Sequence, residues 1–292
     1  MAGEAWTREA AREAFSVLAH DIRLAIVLAL LDGWAGVHTE ARSYSELMDA
    51  VGMEDSGKFN YHLSRLRGVY VEQVGERYVP TASAVALYHT VVATRPTELA
   101  EQTEFDIEMA CPYCSGSVIG RYEQEYLTVE CSECDDWWGL SYPFPKNGLR
   151  GRSGDDVLSA LENRAMHDVG LARTGQCPAC AGHTTVDIPR DRLDGERYPT
   201  VEMYCETCSW LATIDVLNAL RFEPRVVAGL AELGCFLETD EQEIEDVYPD
   251  VSGRVESTDP FRAAVEVELD GGLVTLVVDD ELAVRSVSIE QG

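Results

Sequence analysis

Lysine is almost absent from this chain of 292 residues, in which Lys58 and Lys146 stand beside 21 arginines. Basic side chains number 23 and acidic ones 52, which gives a formal net charge of −29 at pH 7. Such a charge usually disfavours polyanionic partners, because like charges repel at long range. The balance is uneven, however. Residues 1–96 hold 9 basic and 12 acidic side chains, so the first third of the chain is nearly neutral.

Long apolar runs and catalytic motifs are also lacking. No stretch approaches the roughly 18 to 20 apolar residues of a membrane helix, and the start MAGEAWTREA lacks the order of a signal peptide. We therefore expect a cytoplasmic protein without a membrane partner. The sequence contains no G-x-S-x-G, Walker loop, dinucleotide fingerprint or H-E-x-x-H, and its six histidines stand singly. We expect no enzyme activity.

The excess of carboxylates and the preference for arginine over lysine resemble the proteins of halophiles that accumulate salt. In molar KCl the Debye length is only about 3 Å, so the net charge repels other charges only at very short distances. A nucleic-acid partner is therefore not excluded by the charge. An acidic mesophilic protein or a nucleic-acid mimic is the alternative interpretation.

The first third of the chain has a helical pattern. Apolar spacings of three and four predict helices over 7–19 and 21–32. Ser43 and Glu46 match a capping box at the start of a short helix that Gly52 can end.

The stretch DSGKFNYHLSRLRG, residues 55–68, predicts a further helix with Asp55 or Ser56 as its N-cap. At 100° per residue its apolar residues Phe59, Leu63 and Leu66 point inward. The side chains predicted on or beside the opposite face are polar: Lys58, Asn60, Tyr61, His62, Ser64, Arg65 and Arg67.

A β-hairpin and a last helix complete this region. VYVEQVGERYVP alternates and turns at Gly75, and residues 82–94 form an apolar helix. This order predicts a winged helix-turn-helix, in which the helix with the polar face enters the major groove of double-stranded DNA and Arg77 of the wing reaches the backbone or minor groove. The alternative is a solvated helix face. A surface adapted only to salt would carry carboxylates there, and residues 58–68 carry none.

The sequence AFSVLAHDIRLAIVLALL…SYSELMDAVGMEDSGKFNYHLSRLRG resembles the arsenical-resistance-repressor (ArsR) type of winged helix, in the variant common in haloarchaea. The resemblance covers residues 10–95. It implies a homodimer formed through the first and last helices, and regulation of nearby genes. The metal-sensing cysteines of that family are missing from SELMDAVG and His89 stands alone, so metal sensing is not implied.

Eight of the nine cysteines form four C-x-x-C units in two modules. Two such units present four thiolates to one centre, which predicts a four-cysteine zinc ribbon for each module and two structural zinc ions per chain. In both modules a glycine, Gly116 or Gly182, follows the first unit and lets the backbone curl past the sulfur atoms. The predicted ligands are Cys111, Cys114, Cys131 and Cys134 in the first module, and Cys177, Cys180, Cys205 and Cys208 in the second.

Other interpretations of the cysteines remain open. Disulfides are disfavoured in the cytoplasm. Rubredoxin-like iron would imply electron transfer, and oxidation of the thiolates would make the ribbons redox sensors. Cys235 stands alone and is predicted to be a buried small hydrophobe.

The predicted fold class is multidomain α+β, with a winged helix-turn-helix, two zinc ribbons of four cysteines each and a small α+β tail. The predicted domains are 1–96 for DNA binding, 97–145 for the first ribbon, 146–172 for a linker and helix, 173–220 for the second ribbon, and 221–292 for the tail. The predicted function is a sequence-specific transcription regulator in which the ribbons and tail sense a small-molecule or protein effector or bind a partner. The alternatives are an adaptor that docks on the transcription machinery and a thiol-based, redox-switched repressor.

Overall fold

The computed structural model describes residues 8–34, 36, 40–111, 114–134, 138–236 and 249–292, except for the side chains of Trp138 and Asp191. It divides into two compact units. The first contains residues 1–99 and 145–147, and the second contains 100–144 and 148–292. No single helix of the described part is long and apolar enough to cross a membrane; one pair, Arg8–Leu18 with Asp21–Leu31, passes that test jointly but is bent by 82°.

The first unit consists of five helices and a small antiparallel sheet of strand order β1-β3-β2 among its described residues. Its elements are α1 (Arg8–Leu18), α2 (Asp21–Leu31), β1 (Arg42–Ser43), α3 (Tyr44–Ala50), α4 (Ser56–Leu66), β2 (Val71–Val74), β3 (Arg77–Pro80) and α5 (Ala82–Thr94).

The predicted local signals of this unit are confirmed. The Ser43 side chain accepts a hydrogen bond from the Glu46 N–H at 3.3 Å, and the Ser43 N–H donates to Glu46 Oε2 at 2.7 Å. The α4 helix begins after Asp55, whose carboxylate accepts from the Lys58 N–H at 2.9 Å. Val74 pairs with Arg77, so Gly75, with φ of 64°, lies in a two-residue turn.

The core of the first unit forms where α4 packs on α2 and α3. Phe59, Leu63 and Leu66 are at most 1% exposed, as predicted, and they share one cluster with Ile26 and Leu47. Burial of each such side chain contributes about 1.5–3 kcal/mol. The core therefore fixes which face of α4 is left in solvent.

The described residues of the second unit form three further sheets. Its elements are β4 (Glu104–Ala110), β5 (Ser117–Glu123), β6 (Tyr126–Cys131), β7 (Trp138–Pro143), α6 (Gly154–Arg173), β8 (Thr184–Asp187), β9 (Thr200–Cys205), β10 (Leu211–Asp215), α7 (Val216–Ala219), α8 (Pro224–Glu232), β11 (Asp250–Thr258), β12 (Phe261–Leu269), β13 (Gly272–Val278) and β14 (Val284–Gln291). The sheets are antiparallel, with strand orders β4-β5-β6-β7, β10-β9-β8 and β11-β12-β13-β14.

The α6 helix is shared between two hydrophobic cores. Leu161 and Ala165 lie in the core of the first ribbon, whereas Val169 and Ala172 lie in a core formed by the second ribbon, α7, α8 and the last sheet. The segment predicted as a linker helix therefore joins the two ribbons. The predicted boundary between the second ribbon and the tail, at residues 220 and 221, falls within the core that the second ribbon shares with α7, α8 and the last sheet.

The second ribbon also covers the outer edge of β11. The Gly195 N–H donates to Gly253 O at 2.9 Å, and the Tyr198 N–H donates to Val251 O at 2.7 Å. The approach is so close that a Cβ at Gly253 would lie 2.5 Å from Leu193 O. These bonds add a short segment to the sheet and remove one free edge.

The turn between β5 and β6 is strained. Glu123 pairs with Tyr126, and the two residues between them, Gln124 and Glu125, have φ of 51° and 66°. A turn with two positive φ values favours Asn-Gly, because other side chains pay about 1–2 kcal/mol per residue in this region.

We expect the double substitution Gln124→Asn and Glu125→Gly to raise the free energy of unfolding of the second unit by about 1–2 kcal/mol. Equilibrium denaturation measures this change. The matched control is Glu123→Gly in the neighbouring strand, which should lower the stability by about 1 kcal/mol, since glycine weakens a strand. A destabilised double variant would contradict the turn geometry.

Asp279 is a buried carboxylate at the turn before β14 and is 2% exposed. Its Oδ1 accepts from the Glu281 N–H at 3.1 Å and the Ala283 N–H at 2.9 Å, and its Oδ2 accepts from Arg285 Nε at 2.6 Å. Burial alone raises the pKa of a carboxyl group, but these donors outweigh it and hold the pKa of Asp279 below its usual value.

Because the folded pKa is lowered, the stabilisation by Asp279 is present above the unfolded pKa of about 3.9 and is lost as the pH falls through the folded value. Asp279→Asn should cost about 1.5–3 kcal/mol near neutral pH, the range for hydrogen bonds to a charged group, and the difference from the wild type should shrink below about pH 4. Denaturation at several pH values tests this, with Asp280→Asn at the exposed neighbour as the control. An equal loss at all pH values would contradict it.

Candidate metal centres and the exposed face of helix α4

The eight predicted ligands come together in two groups of four. In the first group Cys111 Sγ lies 3.7 Å from Cys134 Sγ, and Cys114 Sγ lies 3.5 Å from Cys131 Sγ. All four sulfur atoms lie within 4.8 Å of one another. Tetrahedral coordination with Zn–S bonds of about 2.3 Å requires sulfur atoms about 3.8 Å apart, so the group fits a metal ion.

The second group has the same geometry. Cys177 Sγ lies 3.6 Å from Cys208 Sγ, and Cys180 Sγ lies 3.6 Å from Cys205 Sγ, again with all four atoms within 4.8 Å. Each group offers four thiolates, with no further donor among the described residues, and such a set suits a soft or borderline ion such as zinc. They leave no coordination position for a substrate. Each group therefore fits the structural site of a zinc ribbon.

Backbone hydrogen bonds shape the cysteine turns identically in the two ribbons. The Gly116 and Gly182 N–H groups each donate to the sulfur of the cysteine two residues earlier, at 3.4 Å. A Cβ at Gly182 would lie 3.0 Å from Thr207 Oγ1 and 3.2 Å from Cys180 Sγ, so the predicted close approach of the backbone is confirmed. The second module repeats the turn of the first.

The second C-x-x-C turn of each ribbon has the same kind of backbone N–H to sulfur hydrogen bond, but the donor residue is not a glycine. The Glu133 N–H donates to Cys131 Sγ at 3.4 Å, and the Thr207 N–H donates to Cys205 Sγ at 3.3 Å. The bond from Thr207 favours the charged form and lowers the pKa of Cys205 to about 6. A hydrogen bond of this kind stabilises the thiolate, the form that ligates a metal.

The exposed part of α4 keeps most of its predicted members. From Lys58 to the C-cap Arg67, the exposed polar side chains are Lys58, Asn60, Tyr61, Ser64, Arg65 and Arg67, which we call the α4 face. Tyr61 is 59% exposed. Because residues 58–68 contain no carboxylate, the α4 face carries only neutral and basic groups.

The prediction that His62 flanks this polar face is wrong. His62 is 4% exposed, because it lies three residues after Phe59 and four before Leu66 and so joins the inner stripe. Its ring centroid lies 4.2 Å from that of His20. Burial, and then the neighbouring His20, Arg23 and Lys58, lower the pKa of His62, so the ring is neutral at pH 7.

Arg77 is exposed, but its guanidinium is already engaged within the first unit. Its Nη1 donates to Ala41 O and lies 3.4 Å from Glu46 Oε2. Ser43 first, and then Arg77 and Arg42, lower the pKa of Glu46. The side chain therefore lies against the start of α3, and contact with DNA would require it to leave these partners. The residue spacing along the hairpin does not predict these contacts of Arg77.

Comparison with protein families finds two matches. A family described as Domain of unknown function (DUF7351) matches residues 108–284, which is more than half of the chain. A second one, Domain of unknown function (DUF7347), matches residues 11–91. No curated protein and no solved structure matches the chain. The range 11–91 lies within the first unit, and the range 108–284 lies within the second unit apart from residues 145–147, which belong to the first.

Proposed function

Since the chain belongs to the family described as Domain of unknown function (DUF7351), we propose its function from its own residues: it is a transcription regulator that binds double-stranded DNA through the α4 face. The element order α1 to α5, with a hairpin before the last helix, supports a winged helix-turn-helix in the first unit. In that architecture α4 is the helix that enters the major groove.

The observation that carries the proposal is the chemistry of the α4 face. In a chain with more than twice as many acidic as basic side chains, this face has three cations and no carboxylate. Arginine and lysine recognise guanine edges and phosphates, and asparagine recognises adenine. Tyr61 adds an exposed aromatic ring next to them. A helix face that only had to stay solvated would not need this composition.

The net charge of −29 does not oppose this function in concentrated salt. A Debye length of about 3 Å in 1 M salt confines repulsion to near contact. Counterion release contributes little there, so the affinity depends on short-range hydrogen bonds and apolar contacts of the α4 face. We therefore expect measurable binding in molar KCl.

The exposed apolar residues of α1, α2 and α5 support a homodimer. Six large apolar side chains of these helices are between 37% and 63% exposed: Phe15, Leu24, Leu28, Tyr88, Val91 and Val92. Leu24 and Leu28 share one helix face, as do Tyr88, Val91 and Val92. Exposed apolar residues that share a helix face are candidates for a protein interface, and a dimer would present two α4 faces to a two-fold symmetric site.

We expect Val91→Glu to convert the dimer into a monomer, because two charges would be buried in the interface without partners. Light scattering after size exclusion in concentrated KCl measures the mass. The matched control is Val227→Glu on α8, since Val227 is similarly exposed, 41% against 49%, but lies in the second unit. A wild-type monomer, or a dimeric Val91→Glu variant, would contradict this interface.

The two groups of four cysteines support two structural zinc ions per chain. Ligation would come from Cys111, Cys114, Cys131 and Cys134 in one ribbon, and from Cys177, Cys180, Cys205 and Cys208 in the other. The ion would supply folding free energy to each ribbon in addition to that of its hydrophobic core. We propose that the ribbons and the last sheet form the part of the regulator that binds an effector or partner.

Selection from a random library of DNA duplexes tests the function without knowledge of the operator. The zinc-loaded full chain in concentrated KCl should enrich a two-fold symmetric motif whose half-sites lie about one helical turn apart. A library that stays unenriched would count against DNA binding. Recovery of a stable protein partner by the same chain would then favour the adaptor.

A further inference from the structure

Three side chains from separate elements of the second unit form a hydrogen-bond network. Trp210 Nε1–H, in the segment between β9 and β10, donates to the Tyr142 hydroxyl of β7 at 3.1 Å. The Tyr142 hydroxyl donates to Asp168 Oδ2 of α6 at 3.0 Å. The network therefore joins the second ribbon, the first ribbon and the helix between them.

Trp210 is part of the turn that holds the second metal centre. It follows Cys208 by two residues, and its carbonyl accepts from the Cys205 N–H at 2.8 Å. Its backbone N–H also bonds the Cys208 thiol. The position of the Trp210 backbone, and hence of the indole N–H, depends on the geometry of these two cysteines.

Tyr142 belongs to the core of the first ribbon. It is 7% exposed and pairs across the sheet with Leu127. Burial raises the pKa of Tyr142, which keeps the phenol protonated and able to donate to Asp168. Loss of the bond from Trp210 would leave the buried hydroxyl oxygen without its donor in this network, which costs stability even while the bond to Asp168 remains.

We propose that the Trp210–Tyr142–Asp168 network couples metal occupancy of the second centre to the packing of the first ribbon on α6. With the metal bound, the turn around Cys205 and Cys208 is fixed and Trp210 donates to Tyr142. When the metal leaves, the turn opens, Trp210 withdraws its N–H, and β7 loosens from α6. The state of one metal centre is thus transmitted to the other ribbon.

Coupling of this kind is reciprocal, because a shift in one equilibrium changes the other by the same factor. Breaking the network at Tyr142 should therefore weaken metal binding at the second centre, although Tyr142 belongs to the other ribbon. A merely structural role of Tyr142 in its own sheet would affect the first centre instead.

Hydrogen exchange of the full zinc-loaded chain tests the coupling. Cys180→Ser, which disables the second centre, and Trp210→Phe, which removes the indole N–H together with the five-membered ring, should each speed exchange of residues 139–144 about tenfold. The double variant should show no further increase. Unchanged exchange in Cys180→Ser, or full additivity in the double variant, would overturn the proposal. Cys235→Ser is the control, since Cys235 lies outside both metal groups.

A second measurement covers the case in which Cys180→Ser unfolds the ribbon. Zinc competition with a chromogenic chelator, with Tyr142→Phe in the otherwise native chain, should show roughly five- to tenfold weaker binding at one of the two sites, consistent with typical coupling between sites. Alkylation of the freed cysteines, followed by mass mapping, identifies the centre that loses zinc first. If the second centre loses its zinc before the first, the coupling is supported. Weakening of the first centre alone, or of neither, overturns it.

Discussion

Arg65→Ala and Lys58→Ala should each lower the affinity for the selected duplex about 10- to 100-fold, while the fold and the metal content stay unchanged. Both side chains are exposed on α4, and in the part of the chain that the structure describes neither forms an ion pair. Their removal therefore leaves the core residues of α4 in place. A bidentate contact to a base contributes about 1–3 kcal/mol, which corresponds to this loss.

Fluorescence anisotropy in concentrated KCl, with the selected duplex and its scrambled form, measures both the affinity and its specificity. Arg164→Ala is the matched control, since Arg164 is an exposed arginine on α6 of the second unit. It should bind like the wild type. Undiminished affinity in both α4 variants would place the DNA contacts elsewhere.

Cys205→Ser should have the largest effect on stability. We expect the variant to retain one zinc ion of two and to lose cooperative unfolding of the core that contains β9, α8 and the last sheet. Structural zinc in small peptides contributes about 10–16 kcal/mol in apparent binding free energy. A whole domain is stable by only about 5–15 kcal/mol, so the loss of one ligand is enough to open this core.

Metal content by elemental analysis and protection by hydrogen exchange measure the two effects separately. Cys235→Ser is the matched control: burial raises the pKa of this half-buried thiol, and it lies outside both centres. It should keep two zinc ions. If Cys205→Ser kept two ions and full protection of β9, the assignment of Cys205 as a ligand would be wrong.

Features set by neighbours along the chain were predictable. Ser43 and Glu46 lie three residues apart, so chain geometry alone brings the cap together, and the same holds for each C-x-x-C turn. The hairpin turn at Asp270 and Gly271 and the helix start at Pro224 are also set by residues close together along the chain.

Features that depend on distant packing were not predictable from spacing. Trp210 and Tyr142 are 68 residues apart, and only the tertiary fold brings them together. His62 was predicted beside the polar face because its side chain is polar, although its spacing from Phe59 and Leu66 places it on the buried stripe of α4. The contact of Arg77 with Glu46 was not predicted, because the two residues are 31 positions apart in the sequence. The sharing of α6 between two cores also lacks a local signal.

Site-specific photocrosslinking at Ser64 tests the central claim, that the α4 face lies against DNA. Ser64 is exposed in the middle of this face, and a photoreactive p-benzoylphenylalanine there replaces only a short hydroxyl side chain. We expect a covalent adduct between position 64 and the selected duplex, and none from the same replacement at exposed Ser286. Adducts to protein alone, or equal yields at both positions, would contradict it.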